Sequence, residues 1–321
     1  MHPNAAWIER AYVNGFYARW EPSVTAVSGV FPFSLGDVAV LLGIALVVWQ
    51  LVARKPLDAL VVVALYALWF QCGWGWNYDR APIETRVRYD SARITPAAMA
   101  SLRSRAIAEL NALAPAAHAR AAKPLDLAAL RADWLPAVKR AGDDWTPRTI
   151  APKFTLAGPF MDLNGTAGFV NPLALTAQLA PDLLWFERPF DLAHEWSHLA
   201  GYAREDEANY LAAIACVRSS DPVVRYSGWM ELFLALPRLD RYPRALFTPL
   251  VWSDFAAMRA RDRRHVNLAF ARWSWRTYNA YLKSNRIASG IANYDEVTRL
   301  MLAIPLDRSG LPRRAPSSFT R

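Results

Sequence analysis

The chain has 321 residues, enough for one large domain or two smaller ones with a substantial core. Its 54% hydrophobic content and 14 tryptophans exceed what a water-soluble domain needs and fit a chain that meets lipid, while two cysteines, Cys72 and Cys216, exclude a disulfide framework or a thiolate metal site. The net charge of +9 lies entirely beyond Arg80, because five cations, Arg80 among them, and five anions cancel over residues 1–80, and its arginines are spread along helices, which argues against a nucleic-acid footprint and for attraction to an anionic membrane surface.

In residues 1–30, Trp7, Tyr12, Phe16, Tyr17 and Trp20 alternate with Glu9, Arg10, Arg19 and Glu21. The segment has no run apolar enough to span a bilayer, and reads as an interfacial element or as an amphipathic helix. Residues 31–76 then hold two charge-poor runs, about 35–53 and 57–76, separated by Arg54-Lys55-Pro56. Each approaches the roughly 20 residues that cross a bilayer, so a transmembrane hairpin is expected, with Trp69, Phe70, Trp74 and Trp76 as an aromatic belt. The two cations in its turn place that turn in the cytoplasm, and the rest of the chain on the outer side of the inner (cytoplasmic) membrane.

The composition changes at Asn77. Thr95-Pro96 predicts a helix start, with an end near Leu113, and Asp126 predicts a second start; both helices read as amphipathic, with His118 at the surface. Lys153–Leu156 and Thr166–Pro172, broken by Gly158-Pro159 and Asn164-Gly165, read as short strands of a small sheet, whose edge could take an extended peptide by β-augmentation. Asp221-Pro222 opens a helix with Tyr226, a candidate for oxyanion stabilisation or simply a packed aromatic. His265, after Arg259, Arg261, Arg263 and Arg264, sits on a solvated basic face; residues 265–285 and 294–303 give further helices, and 308–321 read as a disordered basic tail.

The most specific signal is His194-Glu195-Trp196-Ser197-His198. Pro189 marks the helix start and Gly201 its stop, so both histidines lie on one helical face, four residues apart, where they can share a divalent metal. Glu195 is then placed to act as general base toward a water. Two imidazoles leave a catalytic zinc short of one protein ligand, and the metzincin histidine position holds Arg204. The candidates are Glu205 and Glu207 at the start of the next helix. Glu205 is preferred, since Asn209 four residues on could hydrogen-bond a ligand histidine; Asp206 shares no face with them.

The stretches Pro32–Asp37, Trp74–Arg80, His194–His198, Arg204–Asn209 and Arg225–Gly228 together resemble a domain-of-unknown-function family of bacterial membrane-anchored zincin-like proteins. Glu205-Asp206-Glu207-Ala208-Asn209 also resembles the Glu-x-x-Ala-Asp signature of membrane-linked gluzincin peptidases, which implies Glu205 as the ligand; Asn209 replaces the signature's aspartate with a weaker acceptor. Family members usually carry a further amino-terminal transmembrane helix, which residues 1–30 do not supply. The expectation is a mainly α, α+β protein: a transmembrane hairpin and, over 77–307, a helix-rich zincin-like metallopeptidase domain with a small sheet. It binds Zn2+ through His194, His198 and Glu205 and hydrolyses a peptide or protein substrate with Glu195 as base. The rival expectation is an envelope scaffold or binding protein that keeps the fold without hydrolysis.

Overall fold

In the computed structural model, residues 5–142, 144–237, 244–284 and 296–315 are described. The helices in order are α1 (Ala5–Trp7), a π-helical stretch Ile8–Tyr17, α2 (Ala18–Gly29), α3 (Leu35–Val52), α4 (Pro56–Gly73), α5 (Pro96–Arg120), α6 (Leu127–Arg140) and α7 (Gly158–Asn164). An antiparallel hairpin, β1 (Gly168–Asn171) and β2 (Thr176–Leu179), precedes α8 (Arg188–Leu199), α9 (Glu205–Val217), α10 (Pro222–Leu234), α11 (Pro249–His265), α12 (Leu268–Ser284) and α13 (Glu296–Ala303). The protein is mainly helical with one two-stranded sheet among the described residues.

Helix α9 forms the centre. Eleven of its residues, Glu205–Ala208 and Tyr210–Cys216, are buried, and it packs against α8, α10, α6 and α13. Its alanines at 208, 212, 213 and 215 let four neighbours approach, and Gly228 of α10 comes so close that an added Cβ would sit 2.5 Å from Cys216 Cβ. A side chain there would prise α10 from α9.

Among the described residues, helices α3 and α4 are the two elements long and apolar enough to cross a membrane. Their outer faces expose Leu41, Ile44, Trp49, Leu60, Val61 and Leu65 among others, a large contiguous apolar surface. Between them, Gly43 admits the Tyr66 ring, and Tyr66 Oη donates to Ala39 O at 2.6 Å. Small residues and an interhelical hydrogen bond are what holds helices together where the surroundings are as apolar as leucine.

Several elements differ from expectation. Ala5–Gly29 does not lie apart at an interface: Ile8, Tyr12, Val13 and Tyr17 recur every four to five residues, as the i→i+5 winding requires, and enter the same core as α8 and α9. Helix α4 stops at Gly73, and Trp74 turns inward, buried against α8 instead of forming a belt. Lys153–Leu156 makes a single bridge, Phe33 with Phe154, and no strand, and Gly158-Pro159 starts α7, because proline at the first turn suits a helix as well as a break. The missing strand is Thr176–Leu179, whose polar threonine and glutamine are fully buried and hid its pattern. Helix α5 continues past Leu113 to Arg120, with Ala114 and Ala117 buried and Pro115 absorbed at the surface. Residues 308–315 are ordered: Arg313 N donates to Pro305 O, Val87 pairs with Arg314, and Leu311 is buried. Residues 1–4, 285, 294–295 and 316–321 of the expected segments lie outside the described residues.

Candidate metal centre

Helix α8 carries the motif on a helix fixed at both ends. At its start Pro189 occupies the first turn, and Phe190 N–H donates to Ser227 Oγ of α10 at 3.1 Å, a cap supplied by a neighbouring helix. Along its buried side, Trp134 Nε1 donates to Ser197 Oγ (2.9 Å) and Trp196 Nε1 to Ile150 O (3.0 Å). At its end three side chains donate to three successive carbonyls. Trp74 Nε1 reaches His198 O at 3.3 Å, Tyr17 Oη reaches Leu199 O at 2.9 Å, and Arg80 reaches Ala200 O at 3.2 Å. The last carbonyls of a helix lack partners of their own, and here residues on either side of the hairpin satisfy them.

Gly201 then reverses the chain. Its φ of +85° is a left-handed conformation, and Tyr202 N–H donates back to Ser197 O, closing the helix in the six-to-one pattern of a Schellman turn. An added Cβ would lie 2.7 Å from Asn77 Oδ1 and 3.1 Å from an Arg80 nitrogen. The turn brings Tyr202 O to 2.7 Å from His198 Nδ1 and delivers the first turn of α9 to the histidines.

Glu205 Oε2 lies 3.3 Å from His194 Nε2 and 3.6 Å from His198 Nε2, and the donor atoms of the three residues lie within 4.8 Å of one another. The rings of His194 and His198 stand perpendicular, with centroids 4.6 Å apart. Two imidazole nitrogens and a carboxylate oxygen form the donor set of a catalytic zinc, and ligands about 2.1 Å from a tetrahedral ion lie roughly 3.4 Å from each other, so the residues fit the ion. Glu207, two residues on, faces elsewhere: it accepts from Ile83 N–H at 2.8 Å and faces Arg86 at 3.7 Å. Asn209 lines the cleft and hydrogen-bonds neither histidine among the described contacts; the group that orients His198 is the Tyr202 carbonyl.

Electrostatics follow from burial. Burial pushes the Glu195 carboxyl up to about 7; the two histidines pull it down, and Glu205 adds to the rise. Burial works against charge on His198, yet Glu205 overrides it and lifts the imidazole to about 9. Glu205 itself, despite its burial, is held well below the usual carboxylate range by His198 and His194. Glu195 Oε2 and His194 Nδ1 are buried and have no hydrogen-bond partner among the described residues. Gly168 of β1 makes room for Glu195, since a Cβ there would fall 2.6 Å from its Oε1.

These residues sit in a cleft of about 1040 Å³ whose walls come from the end of α4 (Phe70), α7, β1 and α12. Two further carboxyls, Asp191 and Glu231, line it. Burial and the neighbouring Glu231 hold Asp191 well above its ordinary value, and burial lifts Glu231 to about 8. Neither was singled out from the sequence: Asp191 carries a local signal, three residues before His194 on the same face, whereas Glu231 comes from α10 and has none.

Other candidates fall away from the site. Tyr226 is fully buried, donates to Asp254 Oδ2 at 2.5 Å and stacks on Trp185, so it is the packed aromatic and stabilises no oxyanion in this cleft. His118 is half-buried beside the same Asp254 at 3.0 Å, tying α5 to α11. The run before His265 is not simply solvated, because Arg261 pairs with Glu187 and His265 faces Asp182 at 3.9 Å.

Comparison with curated proteins and with solved structures returns no match. Residues 12–302 match the family described as a protein of unknown function, DUF3810, from the π-helical stretch through α13. Hairpin, cleft and histidine helix all fall inside that match, and the chain belongs to the DUF3810 family.

Proposed function

We propose that this protein is a membrane-anchored, zinc-dependent metallopeptidase. The observation that carries the reading is the meeting of His194 Nε2, His198 Nε2 and Glu205 Oε2 beside a buried, unpartnered Glu195 oxygen in one cleft. A zinc ion held by His194, His198 and Glu205 would supply Lewis acidity and lower the pKa of a water. His198 donates from Nδ1 to Tyr202 O, which turns its Nε2 toward the ligand position. Glu195 Oε2 takes the proton from the attacking water as its oxygen adds to the peptide carbonyl carbon, and returns it to the amine as the C–N bond breaks. Among the described residues strand β1 pairs with β2 alone, and Gly168–Val170 line the cleft, so an extended peptide can add as a further strand beside Glu195.

The hairpin α3–α4 is the anchor in this reading, with the Arg54-Lys55 turn in the cytoplasm and the catalytic domain outside the inner membrane. Zinc measured on purified protein tests the centre: about one equivalent in the wild type and none in His194→Ala or Glu205→Ala supports it. Retention of zinc by either variant overturns the ligand set. A phosphatase reporter fused after Arg321, active only outside the cytoplasm, tests the side.

A further inference from the structure

Beyond the hairpin, the domain carries a rim of exposed apolar side chains on one side of the cleft. Phe33 is 41% exposed, Phe154 68%, Leu156 62%, Leu163 43%, Leu268 70% and Trp273 57%. Isolated exposed apolar residues are ordinary, but these adjoin one another. Phe33 bridges Phe154; Ser34 N–H donates to Phe154 O at 3.0 Å; Asp37, in the first turn of α3, accepts from Thr155 Oγ1 (3.2 Å) and Leu156 N–H (2.7 Å). Leu156 leads directly into α7, where Phe160 packs edge-on against Phe270 of α12 (5.5 Å) and Asn267 N–H donates to Leu163 O. The rim is therefore continuous with the point at which the hairpin leaves the domain.

We propose that this rim seats in the lipid headgroup and upper acyl region, so that the cleft opens at the bilayer surface and receives the membrane-proximal stretch of a tethered polypeptide. The inference rests on the membrane reading of α3–α4. Three observations select lipid as the occupant. Each hairpin helix has 18 residues, a rise of about 27 Å, short of a hydrocarbon core of roughly 30 Å, so the residues flanking it are drawn into the membrane. Phe70, in the last turn of α4, lines the same cleft as Phe160 and Trp273, so cleft and membrane boundary meet. Arg272 and Arg276 are exposed on α12 beside Trp273, a pairing of cations and aromatics that suits an anionic interface.

The test uses the full chain with Cys72→Ser and Cys216→Ala, reconstituted in vesicles of phosphatidylethanolamine and phosphatidylglycerol. Nitroxides are placed singly through Phe154→Cys, Leu156→Cys, Leu163→Cys and Leu268→Cys. Val61→Cys in α4 serves as lipid reference and Arg105→Cys on α5 as water reference. Relaxation by oxygen, which concentrates in lipid, is compared with relaxation by a water-soluble nickel chelate. The expected oxygen-to-nickel ratio at the rim is several-fold above that at Arg105 and approaches that at Val61. Rim labels that match Arg105 while Val61 stays lipid-protected overturn the rim and leave the hairpin standing. A water-exposed Val61 overturns the membrane reading and the rim with it. Rim labels shielded from both relaxants, with dipolar broadening between copies, show that a second chain covers the face and also overturn the proposal.

Discussion

The two sides of α8 have opposite chemistry. On the scaffold side every polar group the helix leaves over is claimed: the carbonyls of His198, Leu199 and Ala200 by Trp74, Tyr17 and Arg80, Ser197 Oγ by Trp134, and the Phe190 N–H by Ser227. Farther from the helix, Thr25 of α2 donates to Glu21 and to Leu175 O, and Ser28 to Ala174 O. On the cleft side, one residue along, Glu195 Oε2 and His194 Nδ1 are buried with no partner among the described residues. Buried polar atoms are normally satisfied, because each one left over costs on the order of 1–3 kcal/mol. A helix that is fully bonded on one side can hold strained, unpaired groups on the other, which is how a reactive site is kept in position.

Four perturbations break or sharpen this contrast, from the largest expected effect to the smallest. Glu195→Gln acts on the open side alone. Peptide hydrolysis should fall by about 10²–10⁴-fold while zinc content and melting temperature stay near wild type. Hydrolysis at the wild-type rate would end the general-base assignment.

The second perturbation is pH, read farther from the helix through Glu21. Burial lifts this carboxyl from the ordinary 4.5 to about 8. The folded state then holds a proton that the unfolded state releases, so this contribution is fully present below about pH 4.5 and is lost as pH rises toward 8. The loss should be on the order of a few kcal/mol. Glu21→Gln, which stays neutral, should make unfolding in detergent less pH-dependent over that window; an unchanged slope would show that Glu21 ionises normally in the fold.

Gly201→Ala tests the hinge between the two sides. The left-handed φ and the close approach of Asn77 and Arg80 predict a loss of about 1–3 kcal/mol, together with weaker zinc retention, because the same turn places Glu205. Destabilisation with full zinc affinity would separate the turn from the centre. Trp74→Phe, finally, removes a single donor from His198 O and should cost about 1 kcal/mol in denaturant unfolding with no change in metal content.

The contrast also explains what could be read in advance. The histidine pair was legible because i and i+4 on one helix are neighbours whatever surrounds them, and Pro189 and Gly201 marked the helix boundaries locally. The hairpin was legible because length and absence of charge are properties of a segment. Strand β2 escaped because Thr176 and Gln178 are buried polar residues whose partners lie in distant segments, Gln178 Nε2 donating to Ser34 Oγ at 3.0 Å. Tyr17 and Arg80 as caps for α8 escaped for the same reason: their acceptors lie more than a hundred residues away.

By itself, then, the sequence determined the two imidazoles, the acid beside them and the two apolar helices, all of which depend on spacing within a few turns. The choice between Glu205 and Glu207 depended on tertiary structure. Two residues apart on a helix, they point about 200° away from each other, so either could have met the histidines, depending on how α9 is rotated. That rotation is set by the Gly201 turn on one side and by Ile83 N–H, which takes Glu207, on the other. The partner of His198 Nδ1 was decided in the same way, by a turn that brings the Tyr202 carbonyl to that nitrogen while Glu205 of α9 faces Nε2.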